Sequence, residues 1–74
     1  MDKKALLKHF GKNLKIARIK KNLTQKQLAQ IMGKSQNYVA CVECGLQNIS
    51  LGKALEFAKY LKTDISKLLD FCEL

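Results

Sequence analysis

The sequence contains no proline, no internal repeat and no segment with the two-residue apolar alternation of a β-strand. The missing strand period argues against β and mixed α/β architectures. Nothing resembling a linker divides the 74 residues, and that length has room for one domain with a small core. Together with the helical periodicity described below, these absences predict an all-α fold of five helices in one compact domain over residues 1–74.

Residues typical of catalytic and metal sites are also scarce. The chain has one histidine, no tryptophan and no pair of carboxylates placed to share a cleft. Acid–base or nucleophilic catalysis normally needs such a cluster of groups. We therefore expect no enzymatic activity and no cofactor.

Long apolar runs are missing as well. No run approaches the roughly 20 residues that a membrane helix needs, and no secretory signal fits the N-terminal stretch. The three cysteines are an odd number, which disfavours the disulfide framework of a small secreted protein. These features predict a reduced, cytoplasmic location.

Acidic residues are few and unevenly placed. The chain has 14 Lys and Arg against 6 Asp and Glu, a net charge of +8, and residues 1–34 hold ten of the basic residues against one acid, Asp2. A surface of this kind can be merely solubilising, or it can bind phosphates. The pattern that follows favours the second interpretation.

Residues 23–45 have the spacing of a helix-turn-helix, with its core at 24–44. Thr24 and Gln27 form a capping box at the start of a helix that Gly33 ends. Ser35 can cap a second helix at once, and Val39 and Val42 give that helix a buried stripe. Its opposite face is mostly polar, as expected of a recognition helix that enters the major groove of DNA.

Three more helices are predicted around this motif. The first covers residues 2–21, with Asp2 as N-cap and Asn22 beyond its end; its buried stripe is predicted to be Leu6, Phe10, Leu14 and Ala17. The fourth runs from Ser50 to about Leu61, and its predicted buried stripe is Leu51, Leu55, Ala58 and Leu61, with Ala54 and Phe57 beside it.

A fifth, short helix over residues 65–71, capped by Asp64, carries more apolar surface than one short helix can bury in its own domain. Contiguous exposed apolar surface usually marks an interface. We therefore predict a dimer face there, formed by Ile65, Leu69, Phe71 and Leu74. The alternative is that these residues simply close a small core.

The motif resembles the signature of the lambda-repressor-like (XRE-family) helix-turn-helix proteins at Gln25, Ala29, Gly33, Val39 and Val42. Within that family, the run NYVACVECGLQNISLGKALEFAKYL is similar to the controller proteins of restriction–modification systems, which are small dimeric regulators. The controllers commonly carry Arg where this chain has Gln36 and Gln47, so the resemblance implies no particular operator sequence.

The resemblance and the helix geometry together assign candidate site residues. The base-reading candidates on the recognition helix are Gln36, Asn37, Cys41 and Tyr38, since Gln and Asn can each pair with adenine through two hydrogen bonds. Tyr38 can alternatively pack its ring at the domain edge. The candidates for phosphate contact are Gln25, Lys34, Ser35, Asn48, Lys53 and Arg18. The resemblance also implies an ion pair between Arg18 and Glu43.

Cys41 and Cys44 form a C-x-x-C motif, but a zinc site needs about four ligands. Only His9 and Cys72 remain, and neither belongs to a paired motif. The motif also lies at a helix C-terminus, where the dipole disfavours a thiolate. We therefore predict no metal site, and a thiol redox sensor is the weakest of the alternatives.

The sequence thus predicts a sequence-specific transcriptional regulator that binds double-stranded DNA as a homodimer on a palindromic operator. Repression would come from blocking RNA polymerase, and a controller-type protein can also activate by contacting it. The alternative from another class is a protein-interaction module, such as the helix-turn-helix antitoxin of a toxin–antitoxin pair.

Overall fold

The computed structural model describes residues 2–70, and within them the chain forms five helices and no strand. The helices are α1 (Lys3–Lys20), α2 (Gln25–Met32), α3 (Gln36–Glu43), α4 (Leu51–Tyr60) and α5 (Ile65–Leu68). The predicted all-α architecture is confirmed. The fifth helix ends at Leu68, three residues earlier than predicted, and the predicted interface residues Phe71 and Leu74 lie outside the described residues.

Side-chain caps start the first four helices as predicted. Asp2, Thr24, Ser35 and Ser50 each accept a hydrogen bond from the backbone N–H three residues further on, at donor–acceptor distances of 2.8 to 3.1 Å. Each bond satisfies one of the N–H groups that a helix start leaves without a partner. Asp64 precedes α5, but its side chain makes no cap hydrogen bond.

Eleven apolar side chains form one core to which all five helices contribute. They are Phe10, Leu14, Leu28, Ala29, Val39, Val42, Ala54, Phe57, Ala58, Leu61 and Leu68. The two phenylalanines meet edge to face with their ring centroids 6.2 Å apart. The predicted burial of Val39 and Val42 is confirmed, since both are at most 1% exposed.

The predicted stripe of α4 is wrong in its first half. Leu51 and Leu55 are 70% and 57% exposed, whereas Ala54 and Phe57 are buried. Two overlapping stripes fit the helical period: one begins with Leu51 and Leu55, the other with Ala54 and Phe57, and both continue through Ala58 and Leu61. The structure has the second stripe, in which the large Phe57 ring is buried. Leu6 of α1 is likewise exposed rather than buried.

Helix α1 crosses the C-terminal end of α3 with the two backbones in close approach. A Cβ atom on Gly11 would lie 2.4 Å from the Glu43 carbonyl oxygen and 2.5 Å from that of Val42. From the sequence, Gly11 is only a residue that weakens a helix by about 1 kcal/mol relative to Ala. The structure shows that its missing side chain lets α1 pack against α3.

Asn13 connects α1 to the end of α5. Its side-chain amide donates to the carbonyl oxygens of Leu68 and Asp70, each at 3.0 Å. These carbonyls lie where a short helix ends and leaves acceptors without partners. Asn13 therefore fixes the last described turn of the chain onto the first helix.

The longest helix in residues 2–70 is α1, and neither it nor any other described helix is apolar enough over a sufficient length to cross a membrane.

Candidate nucleic-acid interface

The turn between α2 and α3 is held by backbone hydrogen bonds and by one glycine. Gly33 ends α2 with φ at +70°, a left-handed conformation that glycine adopts without steric cost. The amide of Lys34 donates to the Ala29 carbonyl oxygen at 2.8 Å. Ala29 is buried where the helices meet, so its small side chain allows the close crossing. The angle between α2 and α3 is therefore fixed locally.

The exposed face of α3 begins with two amide side chains. Gln36 and Asn37 are exposed in the first turn, while Val39 and Val42 hold the opposite side of the helix in the core. Ala40 and Cys41 are half-buried in the next turn. Each amide side chain offers both hydrogen-bond donors and acceptors, the combination that reads the edge of an adenine.

The Tyr38 ring is turned towards the core rather than away from it. It lies parallel to the Phe57 ring, with centroids 6.1 Å apart and an interplanar angle of 7°. The Lys34 ammonium lies 5.7 Å from the same Tyr38 ring centroid, within the range of a cation–π contact. Of the two predicted roles for Tyr38, the structure therefore favours packing at the domain edge.

Arg18, Gln25 and Glu43 form a buried polar cluster between α1, α2 and α3. Arg18 Nε and Nη2 donate to the two Glu43 carboxylate oxygens at 2.6 and 3.2 Å. The Gln25 amide donates to Glu43 Oε1 at 2.9 Å. The Arg18 and Glu43 side chains are 9% and 3% exposed. The bidentate ion pair therefore joins α1 to α3, and Gln25 adds α2 to the cluster.

The assignment of Arg18 to phosphate contact needs correction. Its remaining terminal nitrogen, Nη1, donates to the Leu23 carbonyl oxygen at 2.6 Å, so every guanidinium nitrogen has a partner inside the protein. A buried, fully paired guanidinium is not presented to a phosphate. Arg18 therefore holds a structural position.

The other candidates for phosphate contact lie at three helix starts. Gln25 is the first residue of α2, Lys34 and Ser35 directly precede α3, and Asn48 and Lys53 stand on either side of the Ser50 cap of α4. Lys34, Ser35 and Asn48 are exposed, and Lys53 is half-buried. The Gln25 amide nitrogen already bonds Glu43, so in this conformation that nitrogen points inward.

Cys41 and Cys44 are free thiols, the first half-buried and the second exposed. Over residues 2–70, no group of three His, Cys, Asp or Glu side chains is arranged to hold a metal ion. Cys72 lies outside the described residues. The C-x-x-C motif therefore stays without an assigned role.

Sequence reasoning missed two residues that fix how α1 packs against its neighbours. Gly11 lets α1 approach the end of α3, and Asn13 ties α1 to α5. A glycine in the middle of an otherwise strong helical pattern is a detectable signal of close packing. An asparagine on a helix surface gives no comparable signal, because its partners are 55 and 57 residues away.

Comparison with known proteins agrees with this geometry. The helix-turn-helix family model matches residues 14–68 of the chain. The control protein C.SmaI from Serratia marcescens is 38% identical over 69 residues, which are 93% of this chain and 79% of the relative.

Solved structures show the same fold. The restriction–modification controller protein C.AhdI from Aeromonas hydrophila superposes with a TM-score of 0.83 at 37% identity, over 92% of this chain and 99% of that one. The hypothetical transcription factor NHTF from Neisseria gives a TM-score of 0.81 at 29% identity, over 93% and 79% of the two chains. The chain therefore belongs to the helix-turn-helix family of DNA-binding regulators and is homologous to restriction–modification controller proteins.

Proposed function

We propose that the protein binds a palindromic operator as a homodimer and regulates transcription from it. One observation carries the proposal: α3 is capped, anchored in the core and tied to α1 and α2 by the Glu43 cluster, while Gln36 and Asn37 stand exposed at its start. A rigid helix with free amide side chains in its first turn is suited to reading base edges in the major groove. Cys41, one turn further along, is a secondary contact.

Phosphate contacts supply the part of the affinity that does not depend on sequence. The proposed contacts to the DNA backbone are Lys34 and Ser35, which precede α3, and Asn48 and Lys53, which stand on either side of the Ser50 cap of α4. Gln25 joins them through its backbone N–H at the start of α2, because its side-chain nitrogen donates to Glu43 and its side-chain oxygen can only accept. Release of counterions makes this part of the binding sensitive to salt.

The dimer face extends from the predicted residues of α5 onto α4. Ile65 and Leu69 are half-buried and pack against the core. Leu51 and Leu69 line one small apolar pocket of about 180 Å³, and Leu55 continues the exposed surface one turn along α4. The two exposed leucines of α4, together with the half-buried Leu69 beside Leu51, form the apolar surface that we propose the dimer buries.

The relatives favour a role in controlling a restriction–modification system. In this proposal the protein acts in the cytoplasm without catalytic activity, and it represses or activates according to where its operator lies relative to the site of RNA polymerase. An endonuclease or methyltransferase gene beside its own would support this role.

The test is selection of binding sites from a random library of DNA duplexes by the purified full chain. We expect a two-fold symmetric sequence whose half-sites are centred about one helical turn apart, as two-fold dimers require. Binding should also form a single complex of two chains per duplex. Recovery of no enriched sequence, or of an asymmetric site bound by one chain, would contradict the proposal.

A matched pair of variants links the selected site to the geometry. Gln36→Ala should change the preferred bases of each half-site or weaken the preference for them, because it removes a side chain that is proposed to contact bases. Gln30→Ala, an exposed glutamine on α2 outside the candidate interface, should recover the same sequence as the unmodified protein. Identical selections by both variants would remove Gln36 from the site.

A further inference from the structure

We propose that a cleft behind the recognition helix binds a small phosphorylated molecule. The cleft has a volume of about 500 Å³ and lies between the second half of α1 and the α4–α5 connection. Lys20 in the last turn of α1 and Lys21, its C-cap, line one side of the cleft, and Lys62 and Lys67 line the other. These four lysines define what we call the lysine cleft.

The lysine cleft lies on a different face of the domain from the candidate DNA interface. Helix α1 contacts α3 through Gly11 and Arg18, and it lines the cleft with Ala17 and Lys20. At about 100° per residue, Lys20 lies about 160–180° around the helix from Gly11 and Arg18, and Ala17 lies about 100–120° from them. DNA bound along α3 therefore leaves the lysine cleft open.

The charge of the lysine cleft exceeds what local structure requires. Lysines near helix C-termini offset the dipole, which is equivalent to about −0.5 charge at each of the ends of α1 and α4. Asp64 is the one carboxylate among the lining residues. When the charge of Asp64 and the two helix-end partial charges are subtracted from the four lysine charges, the cleft keeps a net charge of roughly +2. Moreover, none of the four forms an ion pair with a carboxylate of residues 2–70.

Lys62 is itself an unusual choice for its position. A residue with positive φ follows or ends each of the first four helices: Asn22, Gly33, Gly45 and Lys62. Asn and Gly tolerate this conformation, whereas a long side chain is disfavoured in it. Among these four positions, only Lys62 carries a positive charge, although glycine would be more stable at its positive φ. Because Lys62 lines the lysine cleft, we infer that its side chain is kept there for binding.

The shape of the lysine cleft narrows the class of ligand. Its volume is within the range of small-molecule sites, and its exposed lysines come from two separate parts of the chain, the end of α1 and the region from Lys62 to Lys67. Ile16, 44% exposed, and Ala17 add an apolar wall. A di- or triphosphate with a flat apolar body, such as a nucleotide, matches both the cations and this wall.

The experiment titrates the full chain, in the absence of DNA, with inorganic pyrophosphate and with ADP. Calorimetry at physiological ionic strength should show saturable binding of one ligand per chain. Amide NMR shifts should concentrate at the Asn13 side chain, Thr63 and Lys67, which line the cleft. Because no DNA is present, the result does not depend on the proposed operator.

Two sets of variants separate a built site from general charge. The triple variant Lys20→Gln, Lys62→Gln, Lys67→Gln should weaken pyrophosphate binding at least tenfold. Its control, Lys4→Gln, Lys12→Gln, Lys15→Gln, removes the same charge from exposed positions of α1 outside the cleft and should change the affinity less than twofold. The proposal would be overturned if both triple variants lost the same affinity for pyrophosphate. It would also be overturned if the amide NMR shifts were centred on α2 and α3, or if calorimetry showed no saturation.

Two single variants complete the test. Lys62→Gly should raise Tm, because glycine accepts the positive φ, and yet weaken binding severalfold; this outcome separates ligand loss from unfolding. Ile16→Ser should weaken ADP more than pyrophosphate, since only ADP has a body to lie on the apolar wall. Equal effects on both ligands would restrict the site to the phosphate groups alone.

Discussion

The Glu43 carboxylate accepts hydrogen bonds from two helices and stands at the C-terminal end of a third. An acid at a helix C-terminus is unfavourable, because the dipole already places partial negative charge there. Arg18 offsets both charges at once, with two hydrogen bonds to the carboxylate. The position of α3 against α1 and α2 therefore depends on one buried, fully paired carboxylate.

Glu43→Gln should destabilise the protein by about 3 kcal/mol, since breaking a buried ion pair leaves the other charge without its partner. Urea unfolding followed by circular dichroism measures the change. The control is Glu56→Gln, an exposed carboxylate on α4, for which a change within about 0.5 kcal/mol is expected. A loss below about 1 kcal/mol for Glu43→Gln would show that the ion pair contributes little beyond solvent-exposed pairs.

Substitutions of base-contacting and of phosphate-contacting side chains should differ in how they change the salt dependence of DNA affinity. Gln36→Ala should cost about 1–3 kcal/mol on the selected operator and leave non-specific binding unchanged. Lys53→Gln should weaken binding to all sequences alike and lower the salt slope by about 1. Fluorescence anisotropy over a range of salt concentrations distinguishes them. A sequence-independent loss in Gln36→Ala would reassign that residue to the backbone.

At the scale of helices, the contact of α1 with α3 rests on a missing side chain. Gly11→Ala would place a methyl group against two backbone carbonyl oxygens that cannot move aside alone. Overpacking of this kind costs about 1–3 kcal/mol, more than the gain of up to 1 kcal/mol from better helix propensity. We therefore expect a net destabilisation of roughly 1 kcal/mol or more in chemical denaturation.

Gly52→Ala makes the same substitution where there is space. Gly52 lies in the first turn of α4, and the nearest atom to an added Cβ is the Ser50 hydroxyl oxygen at 3.8 Å. Stabilisation by about 0.4–1 kcal/mol is expected. Stabilisation of both variants would mean that the close approach at Gly11 relaxes without cost.

The second connection between elements runs from Asn13 to the end of α5. Asn13→Ala should destabilise by about 1–2 kcal/mol, since two carbonyl acceptors lose a donor. It should also raise hydrogen exchange at the Leu69 amide, which closes the last turn of α5. Lys12→Ala, at the exposed neighbouring position, is the control. Unchanged exchange at Leu69 would show that core packing of Leu68 alone holds α5.

The elements differ in how far the sequence could predict them. Four N-caps and the glycine turn were predictable because each depends on residues at most three or four positions apart. The buried stripe of α4 was not, because stripes through Leu51 and through Ala54 fit the same period and packing on Phe57 decides between them. The hydrogen bond from Gln25 to Glu43 and those from Asn13 to the carbonyl oxygens after α5 join residues far apart in the sequence. They depend on the tertiary fold, and no local pattern predicts them.

For the molecule as a whole, the exposed leucines of α4 predict how two copies associate. Leu55→Ser should reduce dimerisation at least tenfold in sedimentation experiments and remove cooperative binding to a two-half-site duplex, because it places a polar group on the exposed apolar surface of the proposed face. Ile19→Ser replaces a similarly exposed residue on α1 and should dimerise normally. Equal dimerisation by both variants would move the interface elsewhere.

The link from Asn13 to Leu68 and Asp70 also has a consequence for the order of folding. It joins positions 55 and 57 residues apart, whereas the capping box and the α2–α3 turn close loops of a few residues. Long loops cost more entropy to close and form later. A chain emerging from the ribosome can therefore assemble its DNA-reading motif first. We expect Asn13→Ala to accelerate unfolding while leaving the refolding rate nearly unchanged.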